Sequence, residues 1–437
     1  MANPVQTLQG MRDWLPGRSR LRAWIISRIR ENFERSGFEP VETPALEYAE
    51  TLKGKYGEEA DKLIYAFTDR GGREVGLRYD LTVPLARVVA SHPDLSRPFK
   101  RYHIAPVWRA ERPQRGRYRE FTQCDIDVVG VPGELADADV LFTVMACLVD
   151  LGLPGFVVRL NDRRLLQAIV ARLGIAPNRA LGLFRALDKL DKIGTAGVRA
   201  ELMERGFSGA EIDGLFGFLI PRGDPSIILP ELGRTLGGRE DAAAAIASLG
   251  RLVSALAGLG IASDRLQVDP TLVRGLDYYT GCIYEVTVVE PAIGSLVGGG
   301  RYDDLIGIFT GRPTPATGGA LGLDRIIDVI EALGLAPAGM QGPVAPVQMT
   351  IFSEETLATS LRVAGNLRRA GIACDLAIAG GRLSNQLRDA ARRGVRWSVI
   401  AGPDEIEQGK LLVRDMVSGE QTALSEADAG EFLRGQL

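Results

Sequence analysis

KRYHIAPVWRAERPQRGRYREFTQCDIDVVG, residues 100–130, decides the fold. Its two ends, KRYHIAPVWRAE and REFTQCDIDVVG, read as strands, and the turn-rich RPQRGRYR between them reverses the chain. The spacing predicts an antiparallel hairpin with a long basic loop. Residues 97–119 hold seven Arg and one Lys against Glu111 alone, a local balance of +7 in a chain of net −3. Arginine presents a planar, permanently charged fork that matches phosphate, so Arg109, Arg112, Arg115, Arg117 and Arg119 suit a triphosphate or a nucleic-acid end. A solvated basic loop paired with distant acids is the alternative.

Working outward toward the N-terminus, Leu21, Ile25, Ile29 and Phe33 recur every four positions between Arg18 and Arg35, which predicts an amphipathic helix ended by Gly37. FEPVETPALEY (38–48) follows as extended chain interrupted by Pro40 and Pro44; proline cannot donate to a ladder, so an edge or an interface is expected there. A further strand is expected in GREVGLRYDLTVPLARVVA. Beyond the hairpin come a helix over 134–151, a strand in PGFVVRLN and a helix in DRRLLQAIVARLG. Residues 175–262 are rich in Ala, Leu, Gly and charge, with helix patterns and few strand signals, and read as a helical insertion. Strand character returns in RLQVDPTLVRGLDYYTGCIYEVTVV and near GSLVGGGRYDDL, before a helix that starts around Gly322.

GLAPAGMQGPVAP (334–346) reads as a linker. After it, the apolar runs VQMTIF, IACDLAI and WSVIAG alternate with helix patterns, as in an α/β domain with a largely parallel sheet. The expected division is therefore 1–174 and 263–333 as two parts of one core, 175–262 as an insertion, 334–346 as a linker and 347–437 as a separate domain. No internal repeat is evident.

Composition excludes several classes of protein. With 437 residues and 46% hydrophobic content the chain can bury about three domain cores. Four dispersed cysteines suggest neither a zinc site nor a disulfide framework and fit a reducing cytoplasm. Only His92 and His103 are present, which leaves little for imidazole metal sites or His-dependent nucleophiles. No run of about 18 apolar residues appears, so a soluble protein without a membrane partner is expected. The segments LVRGLDYYTG (272–281) and LVGGGRYDDL (296–305) supply glycine, Arg, Tyr and Asp for a polar pocket; a bulged turn is the bland alternative for Gly298–Gly300. Residues 361–397 carry eight Arg against two Asp, a second basic region that suits phosphates or simply faces water.

Taken together and in this order, these residues resemble histidyl-tRNA synthetase, a class II aminoacyl-tRNA synthetase family. LQGMRDWLP and FEPVETPALEY resemble its start and dimer-forming motif 1, RAERPQRGRYREFTQCDID its motif 2, and GGALGLDRI its motif 3. RGLDYY (274–279) and GGGRYDDL (298–305) resemble its two histidine signatures, and GGRLSNQLRDAARRG with SVIAGPDEIEQGKLLVRD its anticodon-binding domain.

The resemblance implies an α/β (α+β) fold: a class II antiparallel sheet flanked by helices, a helical insertion and a C-terminal α/β anticodon-binding domain. It implies ATP-dependent activation of L-histidine and transfer to the 3′ end of tRNA(His), with Mg²⁺ accompanying ATP, in a cytoplasmic homodimer. For ATP it implies Arg109 on the α-phosphate, Glu111 on the adenine amino group, Phe121 stacked on adenine, Arg117 and Arg119 beside the triphosphate, and Arg325 on the γ-phosphate. Arg274 would be a second catalytic arginine against the α-phosphate and carboxylate. Asp80, Thr82 and Gln123 would surround the α-ammonium, and Asp127, Tyr279 and Tyr302 the imidazole. Asp80 and Asp127 stand where many bacterial members carry Glu, while RYDLTVP, QCDID and ALDKLDKIG resemble the eukaryotic and archaeal branch. A non-catalytic, synthetase-like regulatory subunit of ATP phosphoribosyltransferase shares the core; such paralogues usually lack the C-terminal domain and erode the ATP arginines, both of which this chain retains.

Overall fold

The computed structural model describes residues 5–54, 63–113, 116–153, 155–219, 221–236, 238–273, 278–338, 340 and 342–436. Two compact units emerge, residues 1–15 with 21–335, and residues 336–437 with the short stretch 16–20.

In the larger unit the strands, in chain order, are β1 (Glu39–Pro40), β2 (Leu46–Tyr48), β3 (Tyr65–Thr68), β4 (Glu74–Leu77), β5 (Phe99–Trp108), β6 (Glu120–Val129), β7 (Phe156–Asp162), β8 (Leu266–Val268), β9 (Cys282–Val288), β10 (Ser295–Arg301) and β11 (Ala316–Gly322). Eight of them form one sheet in the order β1-β5-β6-β11-β10-β9-β7-β8. Its interior pairs are all antiparallel, and only the edge strands β1 and β8 join in parallel. β5 and β6 are the hairpin read from the sequence, in register from Phe99↔Val129 to Trp108↔Glu120. The remaining three strands make a small antiparallel sheet, β2-β4-β3.

The first helix, Pro16–Arg35, buries Leu21, Ile25, Ile29 and Phe33, the four residues its periodicity selects. Gly37 follows it at φ +77°, a left-handed turn that glycine adopts without a side-chain clash. Helix Glu134–Asp150 packs against β11 on one side and helix Glu240–Gly258 on the other. The described residues between 177 and 258 form the helices Pro177–Leu187, Leu190–Glu204, Gly209–Phe218, Pro225–Thr235 and Glu240–Gly258.

Three expectations change. The segment GREVGLRYDLTVPLARVVA is a strand only as far as Leu77; Thr82–Ser91 is helical, because Asp80 Oδ1 accepts the Val83 N–H at 3.1 Å and starts a turn whose Val83, Leu85 and Val89 are buried. Helix Glu240–Gly258 does reach spanning length and apolarity, but it packs on helices Glu134–Asp150, Arg163–Arg172 and Pro225–Thr235. Gly298–Gly300 is no turn at all: it lies inside β10, paired on both sides.

The smaller unit holds a five-stranded sheet: β12 (Val347–Met349), β13 (Cys374–Leu376), β14 (Trp397–Ile400), β15 (Lys410–Asp415) and β16 (Gln421–Ser425), ordered β13-β12-β14-β15-β16. β12 runs parallel to β13 and β14, whereas β15 and β16 add antiparallel, so the sheet is mixed rather than largely parallel. Its core gathers Val347, Met349, Val363, Leu367, Val399 and Val413. Much of the local positive charge is paired, through Arg362–Glu426, Arg393–Asp375, Arg392–Asp389 and Arg396–Asp415.

Candidate functional site

A cavity of about 430 Å³ opens over the central strands of the large sheet, a size suited to a nucleotide-class ligand. Of the residues singled out in the sequence, Asp80, Thr82, Arg109, Glu111, Arg117, Phe121, Gln123, Asp127, Tyr279, Tyr302 and Arg325 all line it. These side chains come from segments up to 245 residues apart (Asp80 to Arg325), and sheet order brings them together. Arg274 lies outside the described residues.

The cavity has a cationic end and an acidic end. At the cationic end Arg109 follows directly on β5; its backbone N–H bonds Arg119 O at 2.8 Å, its Nε donates to Tyr79 O at 3.0 Å, and its guanidinium lies 5.0 Å from the Phe121 ring centre. Arg325, in the first turn of helix Leu323–Ala332, is held by Gly116 O at 3.1 Å and Ser295 O at 2.6 Å. Arg117 is half exposed and pairs with Glu111 at 3.2 Å. Arg115 lies outside the described residues, Arg112 is absent from the cavity lining, and so is Arg119. Its guanidinium turns to Glu111 O and Gln9 O, away from the cavity, and its backbone N–H bonds Gly10 O, so it fastens the loop to the N-terminal segment.

The acidic end follows from strand alternation. Residues 123, 125 and 127 share one face of β6, so Gln123, Asp125 and Asp127 all enter the cavity wall. Across the ladder Arg101 stands opposite Asp127, and its Nη2 reaches Asp127 Oδ2 at 2.7 Å and Leu81 O at 3.0 Å, with both residues almost wholly buried. Tyr302 donates its phenol to the other Asp127 oxygen. Tyr278 and Tyr279 complete this wall, their hydroxyls 3.1 Å apart.

At two glycines of the floor nothing larger fits. A Cβ on Gly318 would stand 1.9 Å from Asp127 Oδ1, and one on Gly299 would stand 2.3 Å from Gly318 O and 2.4 Å from the Tyr284 hydroxyl. Tyr284 Oη in turn donates to Gly318 O at 2.8 Å, which fixes the two flat strands β10 and β11 beneath a ligand. Arg301, by contrast, points elsewhere: Asp137, Asp303 and the carbonyls of Val131 and Gly133 hold it.

Burial governs the titration of the acids. It pushes Asp80 up to about 6, against the pull of the Val83 N–H, Arg109 and Arg101. Asp125 is pushed up to about 8, with Asp127 and Asp80 adding to the effect of burial and Arg101 opposing it. Asp127 is raised too, by burial, against Arg101 and the Tyr302 hydrogen bond. His103 is held down to about 3 by burial beside Arg101 and Arg78, so it stays neutral. Among the described residues no group of three His, Cys, Asp or Glu converges to hold a metal.

Sequence reasoning missed Arg101, Asp125, Tyr278 and a network under the loop. Arg12 pairs with Asp324 and lies 3.8 Å from the Tyr118 ring centre, while the other Asp324 oxygen accepts the Thr122 N–H at 2.8 Å. Asp324 precedes Arg325, so the N-terminal segment braces both the basic loop and the helix that carries this cation. The register of the hairpin, with Arg101 opposite Asp127, was the signal that could have found Arg101.

Residues 10–326 match the family model described as histidyl-tRNA synthetase, and residues 343–436 the one described as anticodon binding domain. A histidine–tRNA ligase of Aeropyrum pernix is 45% identical over 96% of this chain and 96% of its own; one of Rhodopirellula baltica is 41% identical over 95% and 94%. Among solved structures, histidyl-tRNA synthetase from Nostoc sp. PCC 7120 superposes with a TM-score of 0.84 and 31% identity over the whole of both chains. An ATP phosphoribosyltransferase regulatory subunit/histidyl-tRNA synthetase from Bacillus halodurans C reaches 0.73 and 28%, over 86% of this chain and 93% of that one.

Proposed function

This chain belongs to the histidyl-tRNA synthetase family and is an aminoacyl-tRNA ligase that joins histidine to tRNA at the expense of ATP; from that premise we propose how its cavity performs the reaction. ATP lies at the cationic end. Phe121 stacks on adenine, Glu111 accepts from its amino group, Arg109 holds the α-phosphate, Arg117 flanks the triphosphate, and Arg325 holds the γ-phosphate. Arg119 serves as a strut of the loop rather than as a phosphate ligand. Histidine lies at the acidic end, its ammonium among Asp80, Thr82 and Gln123, and its imidazole against Asp127, Tyr279 and Tyr302. A carboxylate oxygen of histidine then attacks the α-phosphorus, the bond to the bridging oxygen breaks, and pyrophosphate leaves with that electron pair. No covalent enzyme intermediate is needed; positioned cations carry the spreading charge. Arg274, by resemblance, adds a second cation at the α-phosphate. Mg²⁺ would accompany the triphosphate and neutralise part of its charge.

The observation that carries this reading is one cavity with arginines at one end and a buried carboxylate set at the other. Histidine-dependent exchange of pyrophosphate into ATP tests it; exchange that ignores histidine would refute it. The same assay excludes the regulatory-subunit reading, which the matched anticodon-binding region and the retained Arg109 and Arg325 also disfavour. Transfer to tRNA(His) would draw on the C-terminal unit, which carries the basic stretch 361–397, for anticodon contacts, and the four buried, free cysteines suit a cytoplasmic enzyme.

The acids also set a pH dependence. A carboxyl raised above its unfolded value of about 4 stabilises the folded chain below that pH, and the contribution is lost as pH rises through the folded values near 6 and 8. An incoming ammonium favours the ionised carboxylates, so histidine binding should release protons. The thermal stabilisation given by saturating histidine is expected to grow from pH 6 to pH 8, as a melting series would read.

A homodimer is also proposed. Among the described residues the edge strand β1 pairs only with β5, and Leu46, Tyr48 and Phe67 on the small sheet remain about half exposed, as an unfilled interface would leave them. Sedimentation equilibrium should give twice the chain mass, and a fully active monomer would refute the proposal.

A further inference from the structure

Resting on the histidine site just described, we infer that Asp125 is a positioning residue that locks the side-chain amide of Gln123 so that its oxygen, not its nitrogen, faces the substrate ammonium. Gln123 is only 7% exposed. Its Nε2 donates to both carboxyl oxygens of Asp125, at 3.1 and 3.4 Å. Its Oε1 is buried and has no partner among the described residues. A bare acceptor in a cavity wall costs free energy until a donor arrives, and the ammonium of an amino acid is such a donor.

An amide can present either end at little steric cost, and only one presentation serves a cation. Turned over, Gln123 would offer two N–H groups to the ammonium and repel it. Ionised, Asp125 removes that freedom, because a carboxylate offers Nε2 only acceptors; the neutral acid carries an O–H that can donate to Oε1 as well, so the lock belongs to the ionised form that an arriving ammonium favours. Packing alone does not account for its presence. Asp125 is 2% exposed and shares the buried cation Arg101 with Asp127, with Arg78 also acting on it, while Asp80 crowds the same pocket. Three acids crowded into one buried wall, each opposing the ionisation of a neighbour, weaken the empty fold at neutral pH, and removing one should relieve it.

The test compares two ligands on full-length protein: L-histidine, and imidazolepropionate, which keeps the ring and carboxylate but lacks the ammonium. Wild type should bind histidine more tightly. Asp125→Val, which keeps bulk on the strand, should weaken histidine by about tenfold to a hundredfold, the range for a hydrogen bond to a charged group, and leave imidazolepropionate unchanged. In pyrophosphate exchange the loss should fall on the KM for histidine with kcat largely kept. Adding Gln123→Glu to that variant should restore histidine binding, because a carboxylate offers an acceptor in either orientation. Asp125→Ala serves for the same comparison if the valine variant fails to fold. Equal weakening of both ligands, unaltered histidine binding, or no rescue by Gln123→Glu would each overturn the lock. A wild type that does not prefer histidine over imidazolepropionate would instead overturn the histidine site itself.

Discussion

Arg109→Ala is expected to slow histidine-dependent pyrophosphate exchange by about 10² to 10³, the effect of removing one positioned donor that serves the transition state. The Nε of Arg109 is held by Tyr79 O and its plane lies near Phe121, so the guanidinium is aimed before ATP arrives, and no reorganisation is needed as charge moves onto the α-phosphoryl oxygens. The loss should therefore appear in kcat, with histidine binding in the absence of ATP unaltered. Single-turnover formation of the adenylate and equilibrium dialysis of histidine separate the two quantities. A fall of less than about fivefold would remove Arg109 from the transition state, because even a weak charge-assisted contact is worth more than that.

Arg101→Ala is expected to do greater structural harm. Arg101 is 1% exposed and is the cation beside Asp127 in a pocket that also holds Asp125 and Asp80. Breaking a buried pair by removing one partner costs about 3 to 5 kcal/mol. The melting temperature of the catalytic unit should fall by several degrees, and histidine should cease to be bound because neutralised acids no longer attract its ammonium. Arg101→Met combined with Asp127→Asn separates these effects. With both charges gone the melting temperature should recover much of its loss, since the cost lies in the unpaired charge, while histidine activation should not return, since the imidazole contact is gone. Recovery of both would show that Asp127 is a structural acid only, and recovery of neither would show that Arg101 acts through its other partner, Leu81 O.

Local pattern and chain chemistry made a good deal of this legible. The four-residue spacing of Leu21 to Phe33 defined the first helix, and the two apolar runs around RPQRGRYR defined the hairpin, because side-chain periodicity and turn residues act over a few positions. The Gly/Pro segment 334–346 begins next to Leu335, where the larger compact unit ends in sequence. Most of the candidate site was reached through motif resemblance rather than through composition, which left the basic loop open to a bland reading.

What the chain could not announce was convergence. Arg119 and Arg109 are equally good phosphate ligands on paper, yet one faces the cavity and the other ties the loop to Gln9 and Gly10, because loop geometry decides which way each side chain points. Arg301 sits beside the glycine run and is consumed by Asp137 and two carbonyls. Asp125 looked like an ordinary strand residue until the pleat placed it between Gln123 and Asp127 in a buried wall. The sequence by itself determined which elements form and which chemical groups are available, since those follow from local sterics and side-chain chemistry. Only the tertiary structure decided which of those groups meet, because strand order, ladder register and burial depend on contacts between residues hundreds of positions apart.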